Sequence, residues 1–565
     1  MKKKIICLLL SVLMLLSCGL VLASCSDPAD DDEVPEGVDV GDESSWWRQV
    51  MYEETELRFQ LTECPDAGLH PNTKRLLQGD EDASLGRPLD DLIATRNDNA
   101  YFNTNVKVSY NYYGTDTAVY GWSNAMNTIY TEVQNKSDYS PDIYCNFMSD
   151  MLGTSLKGSF ANLLSESRNS AGAGTVSNFF KPDETINNEG YEHSGYMSDL
   201  MSSLTLSDEK FYIIASDYFV DLIRAFFVVP VDKTLYNSIA SKMIDDLNED
   251  GVTDMNDFFE EIKNNDWTYE RLREYCEEIA DDDGNAVWEL KDDTLGWALD
   301  SWGGMMGSGL MYTTDLVIIE KKWNDDEFMW EYNYPETNEK LEKFVGEVYK
   351  IFHDTPGTVA IYEKDAVSKI ADAFIEHKLL FGGIVTVGSL ENADYQAMKG
   401  TGGGFGIVPV PVYTNLDENG DKVTEAPYQT QIHTTGGAGG ISVITKKFTQ
   451  CSAFIQYQST HSTEILNEYY ENNLTADVSD GLEGNVYMMQ YIRENVRTSF
   501  DKLFEDAIAF FNKQTDPNAQ YNRWHNILLL EQYQLESMRD YYDELVGTKQ
   551  DRLEILIKEY SKLPD

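Results

Sequence analysis

The spacing of apolar and polar positions divides this chain into short strand-like runs that alternate with helical ones. Glu56 to Leu61 alternates with a period of two and reads as a strand; Leu89, Leu92 and Ile93 repeat at helical spacing as far as Arg96. Val106 to Tyr110 is a second strand, a helix runs across Asn124 to Gln134, and Pro141 to Asn146 is a third strand. Strands that take turns with helices predict a mainly parallel sheet of βα units. Two dense β-type runs follow, Phe211–Ala215 and Ala225–Val229, after which the pattern is helical over Leu235–Asn248, Asp257–Lys263 and Tyr269–Ile279. Val317–Ile319 predicts a strand and Asn338–Phe352 a helix. The β pattern returns in Leu379–Thr386, Phe405–Pro409 and Gly440–Ile444, and from Phe448 the spacing is helical to the end, with helices expected over 524–546 and 551–563. Ser165 to Ser198 is polar and aperiodic, and no repeat of solenoid length occurs.

The first residues change how the rest is read. Lys2, Lys3 and Lys4 precede an apolar run from Ile5 to Leu22, the arrangement of a secretory signal. That run ends in Leu22-Ala23-Ser24-Cys25, which resembles a bacterial lipobox: small residues admit a signal peptidase and the Cys25 thiol takes the lipid. Cleavage at the similar Leu15-Leu16-Ser17-Cys18 would leave Leu20, Val21 and Leu22 on the mature end, so Cys25 is preferred. Residues 1–24 are then a signal peptide and 25–48 a lipidated tether, acidic and too poor in apolar residues to fold.

At 565 residues and 42% hydrophobic, the chain can bury more than one core. The formal net charge is −53, which becomes −56 without the three leader lysines. Such a surface is a poor partner for nucleic acid, which is bound by Lys and Arg that displace counterions. The acidity is spread along the chain, as on a solvated surface. Beyond Cys25 the cysteines are Cys64, Cys145, Cys276 and Cys451, in no CxxC pattern; unpaired buried thiols are expected.

Several stretches fall in a familiar order: Arg96-Asn97 before a strand, Pro141-Asp-Ile-Tyr144, Asp266-Trp-Thr268 opening a helix, Phe374 followed by Leu379-Leu-Phe381, Phe405-Gly-Ile-Val-Pro-Val-Pro411, and Tyr469-Tyr470. Their succession, over roughly residues 50–500, resembles extracellular solute-binding proteins of ABC importers, in the carbohydrate-associated branch. The resemblance implies an α/β, two-lobed periplasmic-binding-protein-like fold of type II with a helix-rich C-terminal part. It also implies a ligand held between lobes whose hinged closure signals occupancy. Carried onto this chain, it puts 50–212 and 365–430 in lobe 1 and 213–364 and 431–565 in lobe 2. The first crossing then lies in 211–229 and the last in Gly436–Gly440. The polar 165–198 insert and the longer C-terminal helices depart from the pattern and bear on the class of ligand. The implied partners are a small-molecule solute, an oligosaccharide by expectation, and the permease subunits of an ABC transporter, with the membrane reached only through the lipid.

A sugar offers hydroxyls to Asp, Asn and Ser, and C–H faces to aromatic rings. Such residues at the carboxyl ends of strands are therefore the candidates: Asn146, Phe147 and Asp150 after the third strand; Ser216, Asp217 and Tyr218; Trp297 and Trp302 around the Ser301-Trp-Gly-Gly304 loop; and Gly383 and Thr386. Separately, Asp246-Leu-Asn-Glu-Asp-Gly-Val-Thr-Asp-Met-Asn-Asp257 has the spacing of an EF-hand-like calcium loop, with Asp246, Asn248, Asp250, Asp254 and Asp257 as ligands, Gly251 at the turn, and a shorter Asp where a bidentate Glu is usual. An acidic helix–turn–helix connection is the plainer reading of the same residues. No other cofactor is implied. Asn415–Gly420 starts the same way but has Ala426 at the twelfth position and reads as a turn. Seven histidines form no HExxH, there is no GxSxG elbow, and the glycines of 400–406 run into Val408-Pro-Val-Pro411 rather than a helix, so a phosphate loop is not expected. The sequence thus reads as a receptor without covalent chemistry; the competing readings are a secreted carbohydrate-active enzyme, which needs two opposed carboxylates in its cleft, and a surface scaffold or adhesion lipoprotein.

Overall fold

The computed structural model describes residues 45–62, 73–79, 88–113, 124–136, 139–165, 195–206, 210–300, 309–310, 319–324, 329–333, 339–361, 363, 365–398, 404–413, 429–433, 436–474, 483–498, 550–551 and 553–563. The expected signal, Cys25, the tether as far as residue 44, Cys64, most of the polar insert, Trp302, residues 317–318 of the strand expected at 317–319, the Asn415 turn and the helix over 524–546 lie outside them. The last residues assigned to the tether, 45–48, enter a short helix, Trp46–Gln49, that buries Trp46 and Trp47.

Strand β1 (Thr55–Thr62) buries Leu57, Phe59 and Leu61 on one face, as its alternation predicts. A parallel neighbour requires a crossover, which helix α1 (Pro88–Thr104) provides on the way to β2 (Val106–Tyr113) and helix α2 (Asn124–Asn135) on the way to β3 (Ile143–Phe147). β2 pairs with β1 from Thr55↔Val106 to Thr62↔Tyr113, and β3 joins the other side of β1 through Phe59↔Ile143. Helix α3 (Met148–Ser155) continues directly from β3.

A second sheet repeats this construction. β5 (Leu295–Asp300) is flanked in parallel by β8 (Thr358–Ile361) and β9 (Leu379–Phe381), and β4 (Phe227–Asp232) lies antiparallel beside β9. β10 (Val385–Thr386) and β11 (Phe405–Val408) pair antiparallel with β4, and β6 (Glu320–Asn324) and β7 (Met329–Asn333) form a separate hairpin. In the first sheet the fourth, antiparallel strand is β13 (Gly437–Ile441), paired with β3 from Gly437↔Phe147 to Ile441↔Ile143. Each sheet therefore contains three parallel strands with the first in the centre and a neighbouring strand of opposite direction, and in the second, six-stranded sheet β10 and β11 add to that strand, β4. The α/β class with a helix-rich C-terminal part is as expected from the sequence.

The strand pairing exchanges the two C-terminal pieces assigned from the resemblance. Residues of 365–430 (β9, β10 and β11) join the sheet of β4 and β5, while β13 joins that of β1. Helices α7 (Phe448–Thr460) and α8 (Thr463–Glu468) pack on α1. The physical reason is that β13 pairs with β3 through the chain's small Gly-Ala-Gly-Gly stretch: a Cβ on Gly439 would stand 2.5 Å from Phe219 Cζ, and one on Gly440 3.0 Å from the Phe160 ring. Phe211–Ala215, expected as a full strand, makes a single bridge, Ile214↔Gly439. The strand expected at 440–444 begins three residues earlier, and Leu379–Thr386 is two strands parted by a turn at Gly382-Gly383, where Gly383 has φ +79°.

Helix α6 (Tyr269–Ile279) covers β5 at close quarters. A Cβ on Gly296 would lie 2.3 Å from Cys276 Cα and 2.5 Å from its Sγ. Because backbone rather than a flexible side chain is in the way, Gly296→Ala is expected to lower stability by about 2–3 kcal/mol, read as a fall in the urea midpoint; an unchanged midpoint would show that helix and strand can separate freely. Cys145, Cys276 and Cys451 are buried free thiols, as expected. Among the described residues no helix is long and apolar enough to cross a membrane.

Candidate functional site

In open α/β sheets the crevice for a ligand opens at the carboxyl ends of strands where the strand order reverses. Here those places are the ends of β1 and β3 in the first sheet and of β5 and β9 in the second. Asn146 and Phe147 end β3, and Asp150 lies in the first turn of α3. Asn146 Oδ1 accepts from the Phe147 backbone N–H at 2.8 Å, and its Nδ2 stands 3.5 Å from Asp150 Oδ2, so the Asn146 side chain is held between the end of β3 and the first turn of α3. In the second sheet, Asp300 ends β5 and is buried, and Gly383 follows β9 with a Cβ position only 3.1 Å from Ala298 O. Asp300 was not singled out from the sequence, although it immediately precedes the Ser301–Gly304 loop.

The segment after the first sheet reaches the same edge. Ile214 bridges Gly439, two residues along β13 from the Gly437 that pairs with Phe147, and the chain then passes through Ser216 and Asp217 to α4 (Val220–Arg224). Ser216 is fully buried, its hydroxyl bonded to Ser459 at 2.8 Å. Asp217 is also fully buried, and Arg493 of α9 (Glu483–Glu494) grips it with two bonds, Nε to Oδ1 at 2.6 Å and Nη2 to Oδ2 at 2.7 Å. Burial opposes the Arg493 charge, yet the Asp217 carboxylate holds the guanidinium above its ordinary pKa. Helix α9 belongs with the other sheet: it packs on β11, where Asn485 Oδ1 accepts from the Ile407 N–H. The Asp217–Arg493 pair thus ties the two halves together.

A second tie lies one turn further on. Arg224 donates to Glu391 through Nε at 2.7 Å and Nη2 at 3.0 Å, and to Asp221 at 3.1 Å, while Tyr469 O–H donates to Glu391 at 2.5 Å. Burial works against the Arg224 charge; Glu391, then Tyr469 and Asp221, outweigh it and raise its pKa. Burial, with Glu391 beside it, pushes the Tyr469 phenol well up. Between these ties run the crossing segments themselves: Phe226 bridges Ile432, the His433 N–H donates to Ala225 O at 2.8 Å, and Val387 N–H to Phe226 O at 3.0 Å. β12 (Thr430–Gln431) is held in turn by β14 (Val496–Arg497). Arg493, Arg224 and Glu391 were missed in the sequence. The available signal was an arginine inside apolar surroundings, Leu222-Ile-Arg-Ala-Phe226 and Tyr491-Ile-Arg493.

Three sequence candidates belong elsewhere. Tyr218 is a core residue, fully buried with its ring against Phe219, Phe454 and Phe59 at 5.0, 5.8 and 6.1 Å. Trp297 lies within β5, short of its carboxyl end, with its ring 5.4 Å from Phe352. Thr386 pairs with Phe227 in the crossing region and bonds Ser389 at 2.8 Å. The Asp246–Asp257 loop is built as a helix cap. Asp257 accepts from the N–H groups of Leu247, Asn248 and Asp254, Asp246 from those of Asp250 and Gly251, and Asp254 caps α5 (Met255–Lys263). Among the described residues, three acidic oxygens come within 4.8 Å of one another only at Asp282, Asp283 and Asp293; Asp282 and Asp293 there also accept backbone N–H groups.

No protein-family model matches the chain, and no curated protein is similar to it by sequence. In shape it is similar to solved structures of sugar-binding proteins. The extracellular solute-binding protein from Staphylococcus aureus in complex with maltose is 11% identical with a TM-score of 0.46, over 89% of this chain and 99% of that one. The maltose-binding periplasmic protein from Listeria monocytogenes in complex with maltose is 12% identical with a TM-score of 0.45, over 88% and 98%. The galacto-N-biose/lacto-N-biose I-binding protein of an ABC transporter from Bifidobacterium longum is 10% identical with a TM-score of 0.45, over 89% and 98%.

Proposed function

We propose that this chain is a solute-binding receptor of an ABC importer, anchored to the outer face of the cell membrane through a lipid on Cys25. It captures a sugar, an oligosaccharide in our reading, between its two sheets and presents it to the permease without covalent chemistry. The observation that supports this most is the exchange of fourth strands. Each sheet carries an antiparallel strand, β4 or β13, that enters from the side of the other sheet. Two sheets joined by such adjacent segments have a natural hinge, and ligand that touches both halves favours the shut arrangement by its differential affinity. Asn146, Phe147 and Asp150 in one half, and Asp300 and Gly383 in the other, are the groups we assign to the ligand; Trp302, outside the described residues, is assigned with them from the sequence. Asp217 supports the site through Arg493 and does not touch the ligand.

A glycan panel screened by thermal shift tests the reading. At ligand about 100-fold above Kd, the native state gains about 2.7 kcal/mol, and small-angle scattering should report contraction with the same glycan. Release of a cleaved product would replace the receptor with an enzyme. A panel without a single shift would remove the sugar assignment.

A further inference from the structure

Arg96 stands apart from the other buried arginines described above. It lies on α1 where that helix meets α7 and α8, with only 3% of its surface exposed. Arg224 and Arg493 each hold a carboxylate, and Arg271 holds Glu261. Arg96 pairs with none among the described residues. Its Nη1 donates to Ser462 Oγ at 2.8 Å, and its guanidinium lies 5.0 Å from the centre of the Tyr218 ring. Its Nε and Nη2 are buried and meet no acceptor among the described residues.

The neighbouring phenols add to the imbalance. Tyr110 and Tyr218 share one hydrogen bond of 2.9 Å between their hydroxyls. One proton fills that bond, so the second O–H is a further donor, with no acceptor among the described residues. Neither phenol serves as a counter-charge, because burial pushes both above their ordinary values. The guanidinium stays protonated even though burial works against it. Among the described residues the site therefore holds one buried positive charge and at least three N–H or O–H donors, with no negative group. A lone buried charge is costly unless it is compensated.

We propose that Arg96, with the Tyr110–Tyr218 hydroxyl pair and Ser462, binds a small monovalent inorganic anion of halide size. One negative charge neutralises the site, whereas a divalent oxyanion would leave a net charge beside the apolar rings of Phe59, Phe219 and Phe454 that pack on Tyr218. The bound ion joins α1, the Ser462 cap of α8 and the turn that leads into the first crossing segment. The assignment is independent of what the receptor carries.

Thermal unfolding of the full mature chain in sodium chloride, sodium bromide and sodium gluconate at matched ionic strength is the test, since matching removes general screening. The halides are expected to raise the midpoint above gluconate, by an amount that grows logarithmically with halide concentration. That increment should vanish in Arg96→Met. Equal midpoints in halide and gluconate, or a halide increment that survives in Arg96→Met, would overturn the proposal. If Arg96→Met does not fold, bromide-soaked crystals of the unaltered chain decide: an anomalous peak against Nε and Nη2 supports the site, and its absence overturns it.

Discussion

Arg493→Met is expected to cost about 3–5 kcal/mol of stability, because it strands a fully buried carboxylate. Asp217 has its two oxygens on Arg493, across 276 residues of sequence. Met keeps the unbranched apolar stem of the lost side chain but returns nothing to the carboxylate, and water cannot replace the guanidinium without opening the joint between α9 and the Asp217 turn. The effect should be pairwise. Asp217→Asn alone leaves a buried guanidinium short of charge, while the double variant Asp217→Asn with Arg493→Met removes both charges and should recover part of either single loss. A urea-unfolding cycle over the four proteins measures this, and a coupling energy under about 0.5 kcal/mol would mean that the two groups act independently. Because this pair joins one half to the other, the single variants should also scatter as a larger particle, with the halves held less closely.

Much of the local structure is legible in the sequence, since β1, β2, β3 and the helices after Phe448 follow directly from apolar spacing. The partition between sheets is not, because β13 and β9 choose their partners through pairings distant in sequence, Gly437 with Phe147 and Phe381 with Val231, and spacing carries no information on which edge a strand joins. The resemblance set the crossings at 211–229 and 436–440, and the segments it attached after them pair otherwise: β9 and β11 join the sheet of β4 and β5, and β13 joins that of β1. The site reading met the same limit. Asn146, Phe147 and Asp150 can be placed at a strand's carboxyl end from local pattern alone. Asp217 looks identical to a ligand-binding carboxylate until Arg493 is brought to it by the fold, and Tyr218 and Trp297 have the composition of a sugar platform but the surroundings of a core. Even so, Arg96, Trp267 and Tyr469, quoted for the resemblance alone, each make specific buried contacts.

Trp267 shows how much such a motif residue can carry. It precedes α6, is 1% exposed, and its ring meets Phe258 edge-on at 4.9 Å, Phe381 at 5.3 Å and Tyr275 at 6.2 Å. Those rings come from α5, β9 and α6, so one indole joins two helices to the second sheet. Its Nε1–H also donates to Pro409 O at 2.8 Å, while Val412 N–H returns a bond to Trp267 O at 3.1 Å and pins the Phe405–Pro411 run beside it. Trp267→Ala should therefore lose about 3–5 kcal/mol, through lost burial and the cavity left among rigid rings. Trp267→Phe separates packing from hydrogen bonding. Phe keeps an aromatic ring in the same place but leaves the Pro409 carbonyl without its donor, so it should cost well under the Ala variant, with about 1–3 kcal/mol of the loss arising from that unpaired carbonyl. If the two variants proved equally damaging, the hydrogen bond to Pro409 would be the dominant contribution; if Phe were silent, the carbonyl must find another donor once the indole is gone.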